Sequence, residues 1–328
     1  MDFKSRAKGS AKEKRGLDMT ENAEIIFAEY QVRKTRAQKA AFLEHMQAVY
    51  PQAAVEEGGA LRNRNLVVGD VETAEFVLAA HYDTCARLPF PNFISPRNIP
   101  LYLLYSLAIC LPFLAVGVAA ERLMRLATDA FLPNYLAFFA GFLLSFLGVM
   151  MMGPANPHTA NDNTSGVLTL VEAYETMTEA ERGRVALVFF DNEENGLLGS
   201  ARFAKVHREQ MKGKLLLNFD CVSDGDELML VLNKGAKPFE AQLRAAFLPT
   251  EGKQVHFLDS ARALYPSDQV NFRCGVGVAA FKRKKGVGLY MNRIHTPRDT
   301  VLDERNIACL AQGVRRFLGQ NNKETEDK

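Results

Sequence analysis

Two long uncharged stretches in the middle of the chain constrain its folding more than any other feature. Residues 99–120 read IPLYLLYSLAICLPFLAVGVAA, and residues 130–157 again carry no charge, with apolar side chains densest over 135–152. A helix crosses the bilayer core with ~20 apolar residues, so each stretch is long enough, and a soluble core seldom needs two such runs side by side. Residues 121–129 join them with Arg122 and Arg125, as the turn of a helical hairpin does. Pro112 lies mid-stretch, where a membrane helix tolerates a kink. The expectation is an inserted transmembrane hairpin over 88–152, with spans at about 99–120 and 132–152. It contacts the lipid bilayer and interrupts a body made of 18–87 and 153–328.

The 328 residues, 48% hydrophobic with a formal net charge of +2, suffice for one large domain or two modest ones. No basic stripe with interleaved aromatics occurs, which excludes a nucleic-acid partner. Cys85, Cys110, Cys221, Cys274 and Cys309 are odd in number, with no CxxC pair, and read as reduced thiols. Residues 1–17 carry six basic residues against Asp2 and Glu13, with no apolar run behind them. They read as a basic disordered tail, with attraction to anionic lipid as the sharper option. Arg87 and Arg97 before the first stretch balance Arg122 and Arg125 after it, so flanking charge alone leaves orientation tied. The long, globular-looking segment ahead of the first span favours a cell-membrane protein whose catalytic body is cytoplasmic.

Within the body, residues 20–49 read as one helix opened by Thr20-Glu21-Asn22, and a hairpin is expected around Leu66-Val67-Val68. Three short apolar runs, AEFVLAA (74–80), VALVFF (185–190) and KLLLNF (214–219), have the character of strands buried on both faces. Helical patterns follow at 166–177 and 196–207. Strand alternating with helix predicts an α/β fold with a mixed, mostly parallel central sheet sandwiched by helices.

The candidate chemistry sits where those runs end. His81 follows AEFVLAA, Glu193-Glu194 come shortly after VALVFF, and Asp220 follows LLLNF. Carboxyl ends of buried strands are where α/β folds place their sites. With Asp162 in Asn161-Asp162-Asn163 and His295 in Ile294-His295-Thr296-Pro297, the chain order is His, Asp, Glu-Glu, Asp, His. That is the ligand set for two zinc ions and a base. Any one of these short motifs is usually a solvated charge or a satisfied turn histidine; their convergence carries the argument. Two zincs ~3.5–4 Å apart need a shared carboxylate, and Asp162, set among small residues, suits that role. Of Glu193 and Glu194, one is expected to bind metal and the other to act as general base. Asp83 is placed to accept the second N–H of His81 and fix its tautomer. His207 reads as an exposed helix histidine and His158 as an outside candidate, while Cys85 and Cys221 are not needed to fill the site.

These motifs resemble the zinc-dependent exopeptidase family of bacterial leucyl aminopeptidases, glutamate carboxypeptidase and glutaminyl cyclase, over residues 42–86 and 152–319. The resemblance implies that His81 and Asp220 bind one zinc, Glu194 and His295 the other, that Asp162 bridges, and that Glu193 is the catalytic base. The run from His295 to Thr300 is similar to the family's last ligand motif. Ser267, Asp268, Gln269 and Phe272 resemble its substrate loop, with glutamine at 269 where histidine is common. The inserted hairpin is the larger departure. His81 and Asp162 flank it, so a shared metal pair forces the chain back to the face it left and keeps the site near the bilayer.

The expected function is a membrane-anchored di-zinc aminopeptidase acting on short or apolar peptides at the membrane. Carboxypeptidase or glutaminyl cyclase chemistry on the same fold, and a non-catalytic membrane scaffold, are the alternatives. A scaffold would have eroded ligands, whereas all five and the base are present.

Overall fold

Strands β3 (Phe76–His81), β4 (Val185–Phe190) and β5 (Leu215–Phe219) are buried along their whole length. Burying each large aliphatic or aromatic side chain contributes about 1.5–3 kcal/mol, which makes these strands the centre of the fold. The computed structural model describes residues 19–59 and 61–326, so the basic tail expected at 1–17 lies outside the described residues. Ahead of β3 come helices α1 (Glu21–Glu29) and α2 (Arg36–Val49) and the antiparallel hairpin of β1 (Ala54–Gly58) and β2 (Asn63–Val68). The other strands are β6 (Glu227–Leu232), β7 (Gln254–Asp259), β8 (Gly275–Lys284) and β9 (Gly288–Tyr290). They form one nine-stranded sheet in the order β1-β2-β4-β3-β5-β8-β6-β7, with β9 paired to β8. The middle four strands, β4-β3-β5-β8, run parallel, while β2 and β6 join them antiparallel. The expected mixed sheet between helices is present.

The single helix expected over 20–49 is two helices. Thr35 opens α2 with a reciprocal capping box to Gln38. The intervening turn carries Arg33 inward, where it is fully buried. Its Nε donates to the Tyr82 carbonyl at 2.5 Å and its terminal nitrogens reach the Tyr30 carbonyl and Thr164 Oγ1. Satisfying that guanidinium outweighs continuing the helix through it.

Between β3 and the segment bearing Asp162 stand α3 (Ile99–Arg125) and α4 (Phe131–Met150), both long and apolar enough to cross a membrane. Within their apolar windows only 11% and 6% of residues are buried, unlike core helices. They pack on each other closely. A Cβ on Gly117 would lie 2.9 Å from the Phe138 carbonyl, and one on Gly141 would lie 2.8 Å from Ala120 Cβ. Asn98 caps α3, its Oδ1 accepting from the Leu101 N–H at 3.3 Å.

The feet of the pair are tied to the body and to each other. Ala86 and Ala155 form an antiparallel bridge, and the Arg87 N–H donates to the Pro154 carbonyl at 2.8 Å. Lys34, beside the buried Arg33, donates from Nζ to the Met151 carbonyl at 2.6 Å. Chain that leaves after His81 therefore returns beside its point of departure, as the shared site requires. After α4 come α5 (Gly166–Glu175), α6 (Leu198–Val206), α7 (Glu240–Ala246) and the closing α8 (Glu304–Glu326).

Candidate metal centre

The carboxyl end of β3 delivers His81, the turn after β4 delivers Glu193 and Glu194, and the residue after β5 is Asp220. Asp162 comes from a π-helical turn over Ala160–Ser165 that leads into α5, and its peptide bond to Asn163 is cis. The flanking asparagines explain the placement. Asn163 donates to the Phe219 carbonyl at 3.0 Å and accepts from the Cys221 N–H at 3.2 Å; Asn161 Oδ1 accepts from the Ser223 and Asp224 N–H groups at 2.7 and 3.0 Å. Both lock the Asp162 turn to the end of β5. Gly166 lets the two meet, since a Cβ there would fall 2.2 Å from the Phe219 carbonyl.

All five candidate ligands converge. His81 Nε2 lies 3.4 Å from Asp162 Oδ1 and 3.3 Å from Asp220 Oδ1. His295 Nε2 lies 3.0 Å from Asp162 Oδ2 and 3.3 Å from Glu194 Oε2. One oxygen of Asp162 thus faces each histidine. His81, Asp162 and Asp220 form one group of donor atoms within 4.8 Å of one another, and Asp162, Glu194 and His295, with Cys85, form another. Asn192, Leu197, Cys221 and His295 all have left-handed backbones. For non-glycine residues this conformation costs of order 1–3 kcal/mol each, and here it is gathered at one place.

Asp83 does something other than expected. His81 Nδ1 lies 3.0 Å from the Asp83 main-chain oxygen, whereas the carboxylate is 3.7 Å away. That carboxylate accepts instead from the N–H groups of Glu193 and Glu194, at 3.0 and 3.3 Å. The residue orients the imidazole through its carbonyl and the Glu-Glu turn through its side chain. Asp299 plays a matching part that the sequence reasoning missed. It is buried and accepts from the Asn161 and Asp162 N–H groups at 2.9 and 3.0 Å, and burial together with the charge of Asp162 raises its pKa to about 7. Its only signal was its place in the His295–Thr300 run.

The four residues of the expected substrate loop do not line the site cavity. Gln269 is buried, accepts from Asn218 Nδ2 at 3.1 Å and donates to the Tyr265 carbonyl at 2.8 Å, filling the space over Gly277. Ser267 also accepts from Asn218, at 2.9 Å, and Phe272 stacks on Phe190 in the core. Asp268 is buried, and burial raises it to about 7. Tyr265 and Pro266, just upstream, line the cavity instead. His158 is exposed and His207 is occupied by Glu56 at 2.9 Å, so neither joins the site.

The electrostatics suit a cation. Burial raises Glu194 to about 8 and pushes Glu193 well above the carboxylate range, where neighbouring Glu194, Asp220 and Asp268 add to the effect. Burial would lower both imidazoles, but the carboxylates prevail, holding His81 well above its ordinary value and His295 at about 9. Glu194 Oε1 is buried without a hydrogen-bond partner among the described residues. A donor set of imidazole nitrogens and carboxylate oxygens, with one orphaned oxygen among them, fits divalent zinc. Burial and the nearby carboxylates of Glu194 and Asp162 push the Cys85 thiol well above its ordinary range.

Among solved structures, glutaminyl cyclase of Porphyromonas gingivalis superposes with a TM-score of 0.52 at 15% identity, over 92% of this chain and 97% of that one. LapA of Legionella pneumophila superposes with a TM-score of 0.51 at 13% identity, over 97% and 76%. At such identities the likeness is one of fold. No curated protein matches the chain in sequence. A family model described as Peptidase family M28 matches residues 147–316, just over half of the sequence and the part that carries Asp162, Glu193, Glu194, Asp220 and His295. The chain belongs to peptidase family M28.

Proposed function

We propose that this peptidase is a membrane-anchored aminopeptidase holding two zinc ions, and that it removes N-terminal residues from peptides. The observation that carries this reading is Asp162 standing between His81 and His295 with one oxygen toward each. His81 and Asp220 would hold one ion, Glu194 and His295 the other, with Asp162 shared. When bound, such a pair supplies Lewis acidity that polarises the scissile carbonyl and acidifies water. Glu193 takes a proton from the attacking water and passes it to the leaving amine nitrogen, the shuttle that a positioned carboxylate performs. Asp83 keeps Glu193 and Glu194 in place through their N–H groups. The exposed apolar faces of α3 and α4 support the membrane anchor.

The test is a digest of a mixed peptide library, free and N-acetylated, by protein extracted with detergent from alkali-washed membranes and supplied with zinc. Stepwise loss of N-terminal residues from free peptides only, reduced at least ~100-fold by Glu193→Gln, is the expected result. Trimming from the carboxyl end, or loss of ammonia without cleavage, would replace aminopeptidase by carboxypeptidase or cyclase chemistry. Release of the protein by the alkaline wash alone would remove the anchor from this reading.

A further inference from the structure

The segment that leads from the metal centre into α3 is a rail, not a tether. It runs antiparallel along the stretch that ends at His295. The Leu88 N–H donates to the His295 carbonyl at 2.8 Å, the Asn92 N–H to the Ile294 carbonyl at 3.3 Å, and Ile94 and Met291 exchange both N–H···O bonds at 3.1 and 3.0 Å. Ser95 Oγ donates to the Leu289 carbonyl at 3.0 Å and Asn98 Nδ2 to the Val287 carbonyl at 3.1 Å. Extended backbone alternates its side chains between two faces, and the rail does so. Asn92 and Ile94 line the site cavity of about 290 Å³ together with Leu197, Tyr265, Pro266 and Ile294. Phe93, between them, packs on Tyr105 of α3 at 5.2 Å and on Tyr290 at 6.2 Å between ring centroids. Tyr105 donates its hydroxyl to the Pro91 carbonyl at 2.5 Å.

We propose that the inserted segment itself builds the wall of the substrate pocket. Ile94 gauges the side chain of the residue being removed, Asn92 holds the substrate main chain, and Phe93 fixes both to the membrane helix. Ile94 is half-buried and packed against the cluster that includes Tyr265 and Ile294, so its methyl groups are a fixed surface. The Asn92 side-chain amide makes no hydrogen bond among the described residues, although it faces a cavity that also holds Glu193. An amide can serve a peptide as donor and acceptor at once. The assignment rests on the peptidase reading of the site, but it concerns which residues choose the substrate.

Its test compares wild type with Ile94→Ala, Ile94→Trp and Asn92→Ala on a panel of alanyl, valyl, leucyl, phenylalanyl and tryptophanyl amides. Calorimetric binding of the same amides is measured in the zinc-loaded Glu193→Gln background. Ile94→Ala should move the preference toward larger side chains, raising the phenylalanyl-to-leucyl ratio of kcat/KM about tenfold, and Ile94→Trp should move it toward alanyl. Asn92→Ala should raise KM several-fold for every amide alike, leaving kcat and the ranking in place. An unchanged ranking in both Ile94 variants, with hydrolysis intact, overturns the proposal while the aminopeptidase reading stands. Absence of hydrolysis by wild type counts against that reading instead. The binding ratios then decide the wall: a shift in the Ile94 variants supports it and identical ratios overturn it.

Discussion

Asp299 illustrates how much of the centre depends on residues that touch no substrate. Its carboxylate receives two backbone N–H groups from the turn that presents Asp162, all of it buried. Asp299→Ala leaves those donors without partners at a cost of about 1–3 kcal/mol each. The expected outcome is a lower melting temperature and lower zinc content by elemental analysis, while Glu193→Gln keeps both. Metal content unchanged in Asp299→Ala would mean that the turn is held by its asparagines alone. The convergence of the candidate ligands was legible because each follows a recognisable apolar run or turn. Their supports were not. Arg33 reaches Thr164 across 131 residues of chain, and Asp299 reaches Asn161 across 138, and no local pattern encodes such a contact. In the expected substrate loop, Ser267 and Gln269 both accept from Asn218 of β5, another long-range contact that spacing does not encode.

Among the elements, β3, β4 and β5 were readable because continuous apolar runs admit few other fates. β7 and β8 were harder to see. β7 is only half-buried, and β8 begins GVGVAA, whose small residues have weak strand preference and take their place from neighbours. The side of the sheet where β8, β6 and β7 adjoin carries a charge cluster with a defined pH response. Glu227 on β6 accepts from Arg283 Nε at 2.5 Å and lies 2.5 Å from His256 Nε2, and hydrogen bonding to Arg283, aided by His256, lowers its pKa to about 2. A carboxylate depressed on folding adds stability above its unfolded pKa, and that contribution is lost as pH falls from about 4.5 toward 2. Arg283→Ala should therefore destabilise the protein by about 1 kcal/mol at pH 6, Arg283 being exposed and screened. The gap to wild type should close by pH 2 in chemical denaturation; a constant gap would assign the loss to packing.

At the scale of the whole molecule, the two inserted helices are unequal. At 1.5 Å per residue, the 27 residues of α3 extend about 40 Å and the 20 of α4 about 30 Å, against a hydrocarbon core of about 30 Å. The surplus of α3 is its charged end, residues 121–125, beyond an uncharged stretch of about 33 Å over 99–120, so in the proposed membrane anchor the two packed helices lean together as the bilayer thins. Tyr105, nearly two turns into α3, is the residue on which the proposed pocket wall is clamped. Acyl-chain length then becomes a variable of peptide choice. Reconstituted in bilayers of short and of long lipids, the protein should differ in its ratio of phenylalanyl to leucyl turnover, and Phe93→Ala should erase that difference. Equal ratios in every bilayer would mean that the wall is held by the body alone. Otherwise, the thickness of the surrounding lipid is an input to the selectivity of a soluble-looking active site.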